Sequence, residues 1–257
     1  DWLTVTPASG TAGEQTVELS ATRNYRTSDR TAYADLVCGE QSVRLTVTQA
    51  AASDDTDFTT LFDPDFAKEL QKQGIIADAE NITPEDMEKI ATMTELDVSG
   101  TYENPGTLTS LQGIEYFESL TQLSCYYNQL TSLGISANTA LTELYCYGNQ
   151  LTSLDVSANM ALMWLSCSYN SLETLDISKN TALTQLDCSS NSLTTLDVSA
   201  NTALTWLSCE NNPGDGVSTF PVTAWFDNDT KPDNLEIYQG QWAYDGKTIT
   251  IDFRKVE

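Results

Sequence analysis

Residues 120–130 read LTQLSCYYNQL, and the phrase returns as LTELYCYGNQL at 141–151, LMWLSCSYNSL at 162–172, LTQLDCSSNSL at 183–193 and LTWLSCENNP from 204. Leu120, Leu141, Leu162, Leu183 and Leu204 open the phrases at intervals of 21 residues. The shared pattern is L-x-x-L-x-C-x-x-N-x-L. The intervening halves repeat as well: LTSLGISANTA, LTSLDVSANMA, LETLDISKNTA and LTTLDVSANTA. Self-similarity at a short fixed period marks a solenoid, in which each unit buries its apolar edge only against its neighbours. In Leu123-Ser124-Cys125 the two-residue alternation of a strand sends Leu123 and Cys125 inward and Ser124 outward. Stacked coils then align short parallel strands about 4.8 Å apart.

A coil of 21 residues leaves no room for a full helix opposite the strand, so the second half-phrase, with Leu154 and Val156 inward, is expected to be extended or turn-like. Asn128, Asn149, Asn170, Asn191 and Asn212 follow the strands, and their amides are expected to satisfy backbone groups that the bend leaves unpaired. Cys125, Cys146, Cys167, Cys188 and Cys209 form one inward column. Ladder neighbours point the same way, so these are read as small buried hydrophobes, not as disulfides, a metal site or a redox centre. Cys38 is read as unpaired too. Asp155, Asp176 and Asp197, with Gly134 at the equivalent place, are read as turn or surface acids.

The flanks break the period. An irregular unit begins with a strand over 93–99 and continues through Leu108-Thr109-Ser110-Leu111 and Gly113-Ile114. Upstream, 62–90 is the helix-like part, with Phe66, Leu70 and Ile75 on one face. Thr83-Pro84-Glu85-Asp86 is a helix start: Thr as N-cap, Pro at the first position, acids in the first turn. Asp78-Ala79-Glu80-Asn81 lacks the acidic run of a calcium loop, and no metal or cofactor is assigned. Downstream, strands are expected over 220–226 and 248–253, with Asp245-Gly246 as the hairpin turn after Trp242-Ala243-Tyr244. Residues 1 to about 50 hold four short strand-like runs, at 2–5, 16–19, 32–37 and 43–47, which fit half of a β-sandwich. Residues 50–55 read as a linker.

The expected organisation is a small β domain over 1–52, linker and helical cap over 53–91, repeats over 92–213 and a β cap over 214–257. The fold class is mainly β: a leucine-rich-repeat solenoid with a helical N-terminal cap, a β C-terminal cap and a small sandwich-like β domain in front.

Composition narrows the function. The 257 residues carry 12 basic and 37 acidic side chains, a net charge of -25. Such a surface repels phosphate backbones and anionic lipid, so nucleic acid and bare membrane are poor partners. The chain contains no histidine, which removes Ser-His-Asp and Cys-His catalysis and the usual proton shuttle at neutral pH. No stretch approaches the ~20 apolar residues of a membrane helix, and the chain opens on Asp1-Trp2-Leu3 in a strand-like segment, which is read as a processed or truncated start that leaves localisation open.

The outward strand positions carry the candidate site. By coil, one column holds Gln122, Glu143, Trp164, Gln185 and Trp206, and the next Ser124, Tyr145, Ser166, Asp187 and Ser208. A third holds Tyr126, Tyr147, Ser168, Ser189 and Glu210, with Tyr127 and Tyr169 one place later. Tyr126, Tyr145, Tyr147 and Trp164 are expected to form an exposed aromatic patch with Trp206 nearby. Together with Glu143 and Asp187 they are the candidate ligand-binding residues, because Tyr and Trp dominate binding hot spots and ring faces beside carboxylates suit sugars. No catalytic residue is assigned.

Two families are resembled. Trp2-Leu3-Thr4-Val5-Thr6-Pro7-Ala8-Ser9-Gly10, Asn24, Arg30-Thr31-Ala32 and Val47-Thr48-Gln49-Ala50 resemble the C-terminal portion of a BACON domain, an immunoglobulin-like module of surface and secreted proteins in gut Bacteroidetes. Residues 58–257 look like the leucine-rich-repeat proteins of the same bacteria, in TELDVSG, GIEYF and the tandem LTxLxCxxNQLTSLDVSxNTA. These resemblances imply an extracytoplasmic protein, often held to the membrane by a lipid anchor upstream. The resulting expectation is a non-catalytic recognition protein whose partner is a protein or a glycan. A structural spacer without its own ligand is the alternative, and a carboxylate-based hydrolase the third reading.

Overall fold

The computed structural model describes residues 2–6, 9, 17–21, 24–38, 40–53 and 56–256. In chain order the elements are β1 (Leu3–Thr6), β2 (Glu18–Ala21), β3 (Arg30–Cys38), β4 (Gln41–Gln49), α1 (Pro64–Lys72), α2 (Pro84–Thr92), β5 (Glu95–Asp97), β6 (Gln122–Ser124), β7 (Glu143–Tyr145) and β8 (Trp164–Ser166). They continue with β9 (Gln185–Asp187), β10 (Leu196–Asp197), β11 (Trp206–Ser208), β12 (Thr219–Ala224), β13 (Glu236–Tyr238), β14 (Gln241–Tyr244) and β15 (Lys247–Lys255).

The repeat phrases produce one parallel sheet of seven three-residue strands in the order β13-β11-β9-β8-β7-β6-β5. The register advances one coil per strand, aligning Leu123, Leu144, Leu165, Leu186 and Leu207. All five are fully buried, as are the five repeat cysteines. Burial pushes the Cys125 thiol up to about 12, and its column mates are also raised, so these sulfurs stay protonated and inert at neutral pH. The Cys38 side chain lies outside the described residues.

Strands this short cannot hold a stack alone, and side chains supply the rest. Asn149 Nδ2 donates to the carbonyls of Cys125 and Cys146 at 3.0 Å, and its Oδ1 accepts from Leu130 N at 3.0 Å. Asn170, Asn191 and Asn212 repeat the arrangement one coil on. The residue before each of these asparagines is left-handed: Tyr127, Gly148, Tyr169, Ser190 and Asn211 have φ between 49° and 66°. At the far bend of the coil a second column, Asn138, Asn159, Asn180 and Asn201, is wholly buried. Asn159 Nδ2 donates to Ile135 O and Asn138 O at 3.0 and 2.9 Å, while the Oδ1 atoms of this column meet no protein donor. Opposite the strands the chain is mostly turn, as a coil of this length requires, and Asp155, Asp176 and Asp197 each accept from the backbone N–H two residues on. These hydrogen bonds hold the Asp155 and Asp176 carboxyls below the ordinary range.

Both ends of the core are closed by different means. On the N-terminal side Asp63 caps α1 and Thr83 forms a capping box with Asp86 at the start of α2, burying Phe66, Leu70, Met87 and Ile90. Ile75 is buried but does not share the α1 face. Gly74 is left-handed, Ile75 N donates to Leu70 O and Gly74 N to Gln71 O, which is a Schellman stop with Ile75 as its apolar residue. On the C-terminal side β12, β14 and β15 form a sheet with β10, and Asp245-Gly246, both left-handed, make the hairpin turn. The sheet caps the turn side of the last coil through β10–β12 pairing. β13 was not foreseen. It returns to the strand side and pairs in parallel with β11, aligning Ile237 with Leu207.

In front, β1 pairs with β2 and β3 with β4 as two separate antiparallel sheets. The second strand lies at Glu18–Ala21 instead of 16–19, and Thr16 is outside the described residues, as are Pro7, Ala8 and Gly10 of the BACON-like phrase and Asp54-Asp55 of the linker. The module leans on its neighbour. Tyr25 packs edge-on against Tyr116 with ring centres 5.5 Å apart and donates to Glu118, Arg26 pairs with Glu118 at 2.6 Å, and Thr27 N donates to Glu88 at 2.9 Å. Tyr33, Val37 and Val43 remain exposed.

Candidate recognition surface

The strand alternation places the outward columns where the repeat implies. Register aligns Glu95, Gln122, Glu143, Trp164, Gln185, Trp206 and Glu236 in one row across the sheet. Two residues further along each strand, Asp97, Ser124, Tyr145, Ser166, Asp187, Ser208 and Tyr238 form the second row. The flanking strands β5 and β13 therefore extend the candidate face at both edges.

The rings gather into groups. Tyr126 and Tyr147 stack with centres 4.6 Å apart and planes 6° from parallel. Tyr127 meets both edge-on, and Tyr102 in turn meets Tyr127. Gly148 is required beside them, because a Cβ there would sit 2.6 Å from the Tyr127 ring. Tyr145 packs against Trp164 at 5.4 Å. Trp206 is separated from Trp164 by Gln185 and finds its ring partner in Tyr238 at 6.5 Å, which the expected patch did not include. Tyr126, Tyr145, Tyr147 and Trp164 are half-buried and not fully exposed, because the rings shield one another. No described residue of the front module, and none of either cap apart from Tyr238, makes a ring contact with Tyr126, Tyr145, Tyr147, Trp164 or Trp206.

The polar groups of the face are bonded to each other. Tyr145 Oη donates to Glu143 at 2.8 Å, and burial together with that bond raises the phenol well above its ordinary range. Asp187 accepts from Ser189 N and Oγ, and Ser208 Oγ donates to Glu210 at 2.7 Å. Glu210 is buried, and desolvation pushes its carboxyl upward with the Asp187 charge adding to the effect. The other upward-shifted carboxyl, Glu118, faces the front module, so no pair of raised carboxyls shares a cleft among the described residues. The face is open. Concavities of about 500 and 770 Å³ lie elsewhere, one between α1 and residues 99–108 and one between the front module and Tyr116.

Known proteins bear on the architecture. The Viral BACON domain family matches residues 1–52, and the family of Leucine Rich repeats (2 copies) matches residues 118–159. An internalin from Listeria monocytogenes is 23% identical, with 66% of this chain superposed on 52% of that one at a TM-score of 0.54. The functional domain of internalin J from the same organism, described as including a cysteine ladder, is 23% identical over 74% of this chain and 61% of that chain, at 0.36. A leucine-rich-repeat protein of Leptospira interrogans is 30% identical over 51% of this chain and 35% of its own, at 0.45. The chain spans about half the length of the first internalin. No curated protein matches it. The likeness is one of fold. No helix among the described residues is long and apolar enough to cross a membrane.

Proposed function

We propose that this leucine-rich-repeat solenoid with a BACON-type module in front is a non-catalytic recognition protein that works outside the cytoplasm and binds a protein partner through its strand face. The observation that carries the reading is the concentration of large rings, Tyr126, Tyr145, Tyr147, Trp164 and Trp206, on a sheet surface where, among the described residues, Tyr238 on Trp206 is the one ring contact made from the caps or the front module. Aromatic side chains bring large contact area at small entropic cost, and a flat surface without an enclosed pocket suits a macromolecule better than a small substrate. The left-handed backbone at Tyr127 and Tyr169 is consistent with selection for something other than stability, since a tyrosine there costs about 1 kcal/mol relative to glycine. Catalysis finds no support in the chemistry of the face: it has no histidine and no second raised carboxyl beside Glu210.

The test is a binding screen over mucosal and bacterial surface proteins and a glycan panel, run with the wild-type chain and Trp164→Ala. A protein ligand weakened about tenfold or more by the substitution is the expected result. A ligand unaffected by it moves the site to the front module or the caps. No ligand in either class favours the structural spacer.

A further inference from the structure

The strand face has a charge pattern that its aromatic content alone does not explain. Glu95, Asp97, Glu143, Asp187 and Glu236 stand in its first two rows and Glu210, itself buried, in the third, and none of the three rows contains a lysine or arginine. Between Val98 and Pro213 the single basic residue is Lys179, on the turn side. Among the described residues none of the six carboxylates has a cationic partner: the ion pairs fall at Glu118, Asp35, Asp65, Glu69 and Asp252. The acids are interleaved with the rings. Glu143 stands directly beside Trp164 in the register, and Asp187 lies on the strand beyond Gln185. Glu210 is buried beside Asp187 with the Ser208 hydroxyl donating to it and no cationic partner among the described residues, a carboxyl that an incoming cation would further stabilise in its charged form.

We propose that the occupant of this face is a cationic polypeptide segment, lying extended across the strands with its Arg and Lys side chains over the Trp164 and Tyr126–Tyr147 rings and paired to Glu143 and Asp187. A planar guanidinium satisfies both requirements at once, stacking on an aromatic face while donating to a carboxylate in its plane. The length follows from the sheet. Seven strands at about 4.8 Å span about 29 Å, which an extended chain covers with about nine residues. A neutral glycan would use the rings and leave the six carboxylates repelling one another. The inference rests on the strand-face reading above and deepens it by naming the chemistry of the partner.

The test uses an array of immobilised decapeptides in three matched series, rich in Arg and Lys, with those residues changed to Gln, and with them changed to Glu. A neutral glycan array is run beside it. Four proteins are applied: wild type, Trp164→Ala, the strand-face pair Glu143→Gln/Asp187→Asn, and the turn-face pair Asp155→Asn/Asp176→Asn, which removes the same charge elsewhere. The expected result is selective binding of members of the cationic series. The dissociation constant should rise about tenfold or more in Trp164→Ala and in the strand-face pair, and change less than about twofold in the turn-face pair. Equal weakening in both charge pairs would mean general attraction to an acidic protein and overturn the proposal. Trp164-dependent binding to the Gln series or to glycans, without preference for cations, would overturn it while leaving the strand face as the recognition surface. No binding to any peptide would overturn it too, and the strand face would then stand or fall on the protein screen.

Discussion

Coil after coil, the turn side of the solenoid presents the same small polar set, Thr or Glu, Ser or Thr, then Asp or Gly and Ser, as in Thr152-Ser153-Leu154-Asp155-Val156-Ser157. The strand side of the same coils runs Gln122, Glu143, Trp164, Gln185, Trp206 in one row and Ser124, Tyr145, Ser166, Asp187, Ser208 in the next. Both sides rest on inward columns that barely change from coil to coil, Leu and Cys beneath the strands and Leu with Ile or Val beneath the turns, so packing does not account for the difference. Positions that only need to turn the chain settle on one cheap solution, whereas positions free of structural duty vary, and here they vary toward large rings and acids. That contrast between two faces of one repeat is the strongest argument for where this molecule meets a partner.

Several substitutions probe the contrast, beginning with the shared foundation. Leu165→Ala removes a fully buried side chain beneath both faces and should cost about 2–5 kcal/mol, read as a lower denaturant midpoint. A cost under about 1 kcal/mol would show that the coils are not close-packed there. Next come the two asparagine columns. Asn170→Ala strips hydrogen bonds from the carbonyls of Cys146, Cys167 and Ser168 and from Leu151 N, and should cost about 2–4 kcal/mol. Asn180→Ala loses two donated bonds and no accepted one, so its cost should be smaller, about 1–2 kcal/mol. The reverse order would contradict the hydrogen-bond assignment.

Glu210 gives a test with a sign. Its carboxyl is raised by burial, so the folded chain holds that proton more tightly than the unfolded chain does. Stability therefore falls as pH rises through the folded value, and the penalty is absent below about pH 4. Glu210→Gln should raise stability at neutral pH by about 1 kcal/mol or less and leave it unchanged at about pH 3.5. An equal gain at both values would assign the effect to something other than ionisation. The smallest effects on stability are expected from exposed and half-buried side chains: Trp164→Ala should cost about 1 kcal/mol or less, because its ring is half-buried with Tyr145 as its ring partner, and exposed Met160→Ala less than about 0.5 kcal/mol. Only the tryptophan variant should then lose partner binding.

Much of this was legible because a period constrains every coil at once. The spacing of Leu120 to Leu204 dictates stacking, and strand alternation then assigns Cys125 inward and Tyr126 outward without further information. Thr83-Pro84 showed a helix start because capping is local chemistry. What escaped lies where the period fails. Ile237 aligns with Leu207 thirty residues later, across the inserted β12 and a turn, so β13 and its Tyr238 could not be found by counting repeats. The echo was the apolar-x-apolar spacing of Leu235-Glu236-Ile237, too short to distinguish from any strand. The second asparagine column was visible in the S-A-N-T-A phrase, but its burial depends on the direction of a turn that pattern does not fix. The grouping of rings depends on rotamers, which is why Trp206 joined Tyr238 and not Trp164.

The most direct measurement is hydroxyl-radical footprinting of the chain alone and with the protein partner that the screen identifies. Trp164 stands in β8 and Met160 in the turn that leads into that strand, outside the strand rows, so each is the other's control. The strand-face account predicts that oxidation of Trp164, Tyr145 and Tyr147 falls on complex formation while Met160, 63% exposed, is oxidised as before. Protection of Met160 with Trp164 unchanged would place the partner on the turn side and contradict the account.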